Sequence, residues 1–460
     1  MATSYLPLLP PEVWTQAWNL VCSQEDLKSL GLTCCLFRSI CQNRLFKEIR
    51  FSCEPSTSST AIYRDPLTMC YPEWKERIKQ GVQRMEGLSR HPAHKYSVTT
   101  MKLKGTEDLT ISDLEEAFPR EGVSEFYQTL VSSFLLALES FTNLRHVHLG
   151  PSITITDEFV HALSRLPNLD ELVIRGPFLT SIASPMIAVK VLRLSDNKDG
   201  VSGLGLFSGQ RMTSLNLRNI TSPDSLLRHE IARQEVNFLT CLVLQVEISQ
   251  VPAIFSFLPS CRNLERLVIS PFARTFENEH PLYRIPSLPR DSLPRLSSYI
   301  GPVKLAQSIL PGRPVIDIEI TGLHRRELLV RREYYGWDVE TLEDTFLRPL
   351  RQTSVPLRRL YAPLLALSDK MLEVICRYFP QLQSLELGLD YRTIRRSKIT
   401  KEGKRLMAFL QENDPSTDFN SYLAQNETGL PDSLEASPFN FAATRRFKMT
   451  QEDKRLMAFL

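Results

Sequence analysis

A short apolar pattern, two residues three apart and a third two further on, recurs along most of this chain and restricts the folds open to it. It appears as Val98/Met101/Leu103, Leu144/Val147/Leu149, Leu169/Leu172/Ile174, Val189/Leu192/Leu194, Met212/Leu215/Leu217, Leu239/Leu242/Leu244, Leu264/Leu267/Ile269, Val315/Ile318/Ile320 and Leu382/Leu385/Leu387. Leu293/Leu296 and Leu357/Leu360 are partial copies. From Leu144 onward the copies follow at intervals of 25, 20, 23, 27, 25, 29, 22, 42 and 25 residues. A period in this range marks a stacked array of small units. The last two apolar residues of each copy fall on one side of a short strand, so stacked copies bury one continuous face of a parallel sheet.

Between the strand patterns lie helical ones. Glu158 to Leu166 precedes Pro167-Asn168-Leu169, and Ser368 to Phe379 precedes Pro380-Gln381-Leu382, with Met371, Leu372, Ile375 and Phe379 on one helix face. Alternating strands and helices predict an α/β architecture. The units resemble the irregular leucine-rich repeats of fungal proteins, although only Asn197 sits where that repeat closes on asparagine. The run Leu293-Pro294-Arg295-Leu296-Ser297-Ser298-Tyr299-Ile300-Gly301-Pro302, with Leu310-Pro311-Gly312-Arg313-Pro314-Val315, is similar to a segment of the same fungal family where a strand and turn interrupt the solenoid. A plain Pro/Gly turn between two strands accounts for those residues equally well.

Ahead of the repeats, residues 9 to 49 read as three short helices. Pro11 presets φ at the first helical position, and Glu12 places negative charge at the positive end of the dipole. Ser23 with Asp26 supplies a second start, and Leu27, Leu30, Cys34, Phe37, Ile40 and Cys41 recur at helical spacing. Helices this short bury too little surface to stand alone, so the rest of the chain or a partner must cover some of it. The opening Leu9-Pro10-Pro11-Glu12-Val13-Trp14, the middle Glu25-Asp26-Leu27-Lys28-Ser29-Leu30, the segment Cys34-Cys35-Leu36-Phe37-Arg38 and the close Leu45-Phe46-Lys47-Glu48-Ile49 resemble the F-box, the adaptor-binding motif of cullin-based ubiquitin ligases. That family usually places a large aliphatic residue where Ala17 stands, followed here by Trp18. The resemblance implies docking on a Skp-type adaptor, and through it a cullin, by Leu9, Pro10, Val13, Leu27, Leu30, Phe37 and Ile40, some of them shared with the internal packing of the helices.

Lysine plus arginine number 55 against 52 acidic residues, so no bulk field draws the chain to nucleic acid or membrane. The nine cysteines follow no metal-finger or C-x-x-C spacing and read as reduced thiols, and no leader or long apolar run is evident, which implies cytoplasm or nucleus. Residues 411–443 hold six acidic residues and no lysine or arginine and read as a disordered linker. On either side, Arg395 to Leu410 and Arg445 to Leu460 match at 12 of 16 positions, a duplicated basic segment.

Phosphate loops, nucleophile elbows and metalloprotease motifs are absent from the sequence, so neither a catalytic residue, a cofactor nor a metal is expected. His146 and His148 share a strand face, but without a third ligand they read as surface side chains. The open strand face, through His146, His148, Glu171, Arg193, Asn216, Arg266, Asp317, Glu319 and Arg359, is the expected contact for a protein substrate. Arg325, Arg326, Arg331 and Arg332 form a basic cluster suited to a phosphorylated degron or simply to solvent. The expected organisation is an F-box over 1–53, a helical linker over 54–97, a leucine-rich-repeat-like solenoid over 98–390 with strands on its concave and helices on its convex face, a basic segment over 391–410, the acidic linker over 411–443 and the second basic copy over 444–460. The function this implies is substrate recognition in a Skp-cullin-F-box ligase. The alternatives are a leucine-rich scaffold without ubiquitination and an enzyme with a site within 270–340.

Overall fold

The repeats of the apolar triplet become strands, and their described closing apolar residues point into a core. A computed structural model describes residues 10–21, 23–52, 66–91, 95–104, 116, 122–150, 153–179, 186–195, 206–218, 236–271, 285–321, 347–363, 369–389 and 445–449. Leu9, Asn197, Ser368, the Arg325–Arg332 cluster, the 411–443 linker and the basic copy Arg395–Leu410 lie outside them. The fold is α/β, and the chain divides into two units, Met1–Leu239 and Thr240–Leu460.

Unit 1 opens with helices α1 (Pro11–Asn19), α2 (Gln24–Gly31) and α3 (Cys35–Leu45). Strand β1 (Glu48–Ser52) and helix α4 (Pro66–Arg90) follow, then β2 (Thr100–Lys104), α5 (Val123–Ser140), β3 (His146–Leu149), β4 (Ile155–Thr156) and α6 (Asp157–Ser164). The unit continues with β5 (Glu171–Ile174), β6 (Phe178–Leu179), β7 (Ile187–Ala188), β8 (Val191–Ser195), β9 (Phe207–Ser208) and β10 (Ser214–Arg218). Its main sheet is parallel in the order β1-β2-β3-β5-β8-β10, and the pairs β4–β6 and β7–β9 flank it. Register is fixed throughout: Ile49, Met101, Val147, Leu172, Leu192 and Leu215 are successive partners and form one buried column. Phe51, Leu103, Leu149, Ile174, Leu194 and Leu217 form the second. Helices cover this face at β1, where a Cβ at Gly81 of α4 would lie 3.5 Å from Leu130 of α5 and 3.6 Å from Phe51.

Hydrogen bonding repeats as regularly as the apolar columns. The two N–H groups that open a strand converge on one carbonyl of the strand before it: Thr99 and Thr100 on Lys47, Arg145 and His146 on Thr99, Asp170 and Glu171 on Arg145, Lys190 and Val191 on Asp170. Side chains repeat the step, Asn143 donating to the Tyr96 carbonyl at 3.1 Å and Asn168 to the Thr142 carbonyl at 3.2 Å.

Unit 2 consists of β11 (Cys241–Val246), α7 (Val251–Phe257), β12 (Arg266–Pro271), β13 (Ser298–Gly301), α8 (Val303–Ile309), β14 (Asp317–Ile320), β15 (Arg359–Pro363), α9 (Asp369–Tyr378), β16 (Ser384–Leu389) and β17 (Arg445–Met449). Strands β11 to β16 run parallel in chain order, and β17 adds antiparallel to β16. The 42-residue step from Val315 to Leu357 leaves the ladder intact, because Ile318 of β14 still pairs with Leu360 of β15.

Two sequence readings shift. The partial copy Leu293/Leu296 is set one step early: Leu293 lies in a turn at φ 56°, and Tyr299 is the residue that pairs with Leu267 and Ile318. The unit is therefore Leu296/Tyr299/Gly301, and β13 belongs to the regular parallel ladder instead of interrupting it. At Gly301 a Cβ would stand 2.5 Å from the Tyr299 hydroxyl, so the pair exchanges two medium side chains for one large and none. The buried hydroxyl donates to the Pro302 carbonyl at 2.9 Å. The second shift concerns the close of the N-terminal helices, where Glu48–Ser52 is a strand, with Phe46/Ile49/Phe51 in the triplet spacing.

Arg313 holds the same region together from inside. It is almost fully buried, and its guanidinium donates to the carbonyls of Ser292 at 3.1 Å, Pro311 at 2.7 Å and Pro289 at 2.7 Å. Burial draws its pKa down, against the opposing pull of Asp291. The fork geometry suits three divergent carbonyls, which neither an apolar chain nor a lysine can satisfy. Arg313→Met should therefore cost about 3 kcal/mol of unit 2 stability, with Arg313→Lys recovering less than half, measured by chemical denaturation. Equal stability of Arg313→Met and the parent would refute this role.

Candidate protein-binding surfaces

The opening helices divide their apolar residues between two faces. Trp18, Leu27, Phe37 and Cys41 form a small core, with Trp14, Val21, Leu30, Cys34, Ile40 and Leu45 packed around it. The Trp18 and Phe37 rings lie 4.3 Å apart between centroids, and Trp14 meets Phe37 at 5.0 Å. Local starts set these helices at their angles. Pro11 opens α1, the Ser23 hydroxyl accepts the Asp26 N–H at 3.3 Å, and the Cys34 sulfur accepts the Phe37 N–H at 3.4 Å. The helical spacing that runs from Leu27 to Cys41 is thus broken at Leu32–Cys34 into two helices.

On α1 the other face stays open. Pro10, Val13, Ala17 and Leu20 follow at spacings of three, four and three, which is one helical stripe, and all are exposed, Val13 at 42 % and Leu20 at 82 %. Leu32, at 79 %, and Leu36 are also exposed beside the α2–α3 turn. Of the residues expected to dock an adaptor, Pro10 and Val13 are exposed, whereas Leu30 and Ile40 are half-buried against the core. Leu27, 5 % exposed, and Phe37, 9 %, are core residues whose side chains serve internal packing. Leu20, Leu32 and Leu36 are exposed apolar positions that spacing alone did not single out, since no motif distinguishes an outward leucine from an inward one.

The second surface is the strand face opposite the buried columns. In unit 1 it carries His146 and His148 on β3, Glu171 on β5, Arg193 on β8 and Asn216 on β10. Opposite charges meet along and across strands: Glu48 holds Arg50 of its own strand and, at 2.8 Å, Lys102 of β2, while Glu171 holds Arg193 of β8 at 2.9 Å. The Arg50 hydrogen bond leads the effects that hold the Glu48 carboxyl below the usual range. His146 Nδ1 meets the Thr100 hydroxyl at 3.3 Å. His148 is pushed below the usual imidazole range, first by burial and then by Lys102, Arg193 and His146, with Glu171 opposing. In unit 2 the same face carries Arg266, Asp317, Glu319 and Arg359, with Arg359 paired to Asp317 at 2.6 Å.

Among the described residues no group of three His, Cys, Asp or Glu side chains is placed to hold a metal, and no helix is long and apolar enough to cross a membrane. Burial raises the Cys41 thiol, and raises that of Cys261 to about 12, so neither is an ionised nucleophile. No protein-family model matches the chain, and no curated protein is similar to it.

A depressed His148 pKa has a definite sign. The unfolded chain takes up that proton at higher pH than the folded one, so the contribution to stability is lost as pH falls through the unfolded imidazole pKa toward the lower folded value. Imidazole titration followed by NMR should find His148 rising in Lys102→Gln and falling further in Glu171→Gln. No response to either variant would show that these neighbours do not set it.

Proposed function

We propose that this chain is the substrate-recognition subunit of a Skp-cullin-F-box ubiquitin ligase. Helices α1–α3 act as the F-box that docks a Skp-type adaptor and, through it, a cullin, and the parallel-strand region acts as a leucine-rich-repeat-like solenoid that holds the protein substrate. The observation that carries this reading is the two-sided α1: its indoles close a core while Pro10, Val13 and Leu20 form an exposed apolar stripe. A stripe of that kind on a short helix is suited to insertion into a partner.

The docking set is drawn from burial. Pro10, Val13, Leu20, Leu32 and Leu36 supply contact, with Leu30 and Ile40 at its margin, and Leu27 and Phe37 hold the helices in shape. In this scheme the chain performs no covalent chemistry. It raises the local concentration of a substrate lysine near a ubiquitin-charged enzyme, which replaces a bimolecular encounter by an intramolecular one. The cytoplasm or nucleus is the corresponding location.

Ala17 favours a second reading. It places only a methyl in the centre of the exposed stripe, where the F-box family has a large aliphatic side chain, which suits a scaffold that binds proteins without a cullin. Co-expression of the full chain with a Skp-type adaptor separates the two. The receptor reading expects a complex that co-elutes in size exclusion, with Val13→Asp plus Leu20→Asp weakening it by about thirtyfold or more and leaving thermal unfolding unchanged. Trp18→Ala should instead lower stability by about 3 kcal/mol or more, because it empties the core. Failure of the intact chain to bind the adaptor overturns the receptor reading in favour of the scaffold.

A further inference from the structure

The open sheet face of unit 1 carries more cation than anion. Among the described side chains, its open positions from β1 to β10 hold Arg50, Lys102, Arg193 and Arg218 against Glu48 and Glu171. Both carboxylates are already engaged, Glu48 by two cations and Glu171 by Arg193. Among the described residues Arg218 donates to the Asn216 amide oxygen, at 3.2 Å. In unit 2 the described open positions from β11 to β16 hold Arg266 and Arg359 against Asp317, Glu319 and Glu386, and register sets Lys448 of β17 opposite Glu386. The described open side chains of unit 1 thus carry a net positive charge even though the whole chain is near neutral.

Between the unit 1 cations stand Thr100, Val173, Val191, Ser195, Ser214 and Asn216. These are short side chains, so an extended chain meets no bulky obstruction across the strands. Apart from the histidines, the described open face presents no aromatic ring on which a base would stack, which favours a peptide over single-stranded nucleic acid. Six strands about 4.8 Å apart span roughly 24 Å, the length of about seven extended residues.

We propose that this face binds an acidic segment of a protein partner, about seven residues long and extended, whose oxyanions sit over Lys102, Arg193 and Arg218. The proposal deepens the receptor reading by giving the substrate class, and it rests on that reading only for the fate of the bound protein. Carboxylate and phosphate present the same chemistry here, closely spaced anionic oxygens. An arriving anion also favours the protonated form of His148, the group faced by Lys102 from β2, His146 on its own strand, Glu171 from β5 and Arg193 from β8.

Fluorescence anisotropy on the full chain tests this with three labelled octapeptides, one alternating Glu and Ser, the same peptide with phosphorylated serines, and one alternating Lys and Ser. Both acidic peptides should bind, more weakly near 0.5 M salt, while the lysine peptide should not bind. Tighter binding by the phosphorylated form assigns the natural oxyanion to phosphate, and equal binding to carboxylates. Lys102→Gln with Arg193→Gln should weaken binding by about tenfold or more, and so should the exposed Arg218→Glu, with circular-dichroism melting unchanged. Arg266→Gln with Arg359→Gln, in unit 2, should have no effect. Affinity should rise as pH falls from about 8 to about 6, a trend reduced in His148→Gln. The proposal is overturned by equal affinity for acidic and basic peptides, by a heptanucleotide RNA binding more tightly than any peptide, or by loss of binding only in the unit 2 variant. Adaptor co-elution is scored separately, so failure of peptide binding leaves the adaptor result standing.

Discussion

Parallel register is the constraint on which the rest of this structure depends. Along both runs of parallel strands, the next strand begins with two N–H groups sharing one carbonyl of its predecessor, from Thr99 and Thr100 on Lys47 to Gln383 and Ser384 on Arg358. That shared acceptor fixes where the next strand starts. A slip of one residue would send Leu172 outward and Glu171 inward, so the hydrogen bonds and the apolar columns enforce the same alignment. Each fully buried leucine in a column contributes roughly 2 kcal/mol by removal from water, and a slip forfeits that on every strand at once. Insertions are tolerated only between strands, as the 42-residue step before Leu357 is.

Much of this ladder is legible in the sequence because the triplet spacing and the strand pleat are one geometry. Val147, Leu172 and Leu192 fall where the spacing puts them, and the helix expected over Glu158–Leu166 is Asp157–Ser164. The reading failed where chemistry departs from aliphatic. Tyr299 with Gly301 occupies a leucine pair's place through compensating volumes, which a search for Leu, Ile and Val passes over. Phe46/Ile49/Phe51 has the right spacing, but its position directly after helical segments hides it. Arg313 shows no signal of burial in sequence, since its partners are backbone carbonyls, which every residue possesses. The terminal strand shows a related limit. Arg445–Met449, read from its duplication as part of a basic segment, is also a strand with Phe447 in register with Leu387, which counting identities between the copies does not reveal.

The helical trio shows why burial has to be known before a binding set is chosen. Motif matching groups Val13 with Leu27 and Phe37, yet one is a surface residue and two are core. An apolar residue on a three-helix motif has two possible tasks, and the motif preserves both. Substituting Leu27 or Phe37 would reduce any partner affinity simply by loosening the helices. Only outward positions report on docking itself.

The pleat also separates what stabilises this protein from what can distinguish its partners. Ion pairs such as Glu171–Arg193 and Asp317–Arg359 join half-exposed side chains, and such pairs contribute about 0–1 kcal/mol. The columns behind them contribute far more, so charges on the open face can change at little cost to the fold. That freedom makes the net positive charge of the described unit 1 face informative. Register and packing ask no charge of positions 102, 193 and 218 beyond these weak ion pairs, so under the proposal made for this face their cations answer to the anions of a partner.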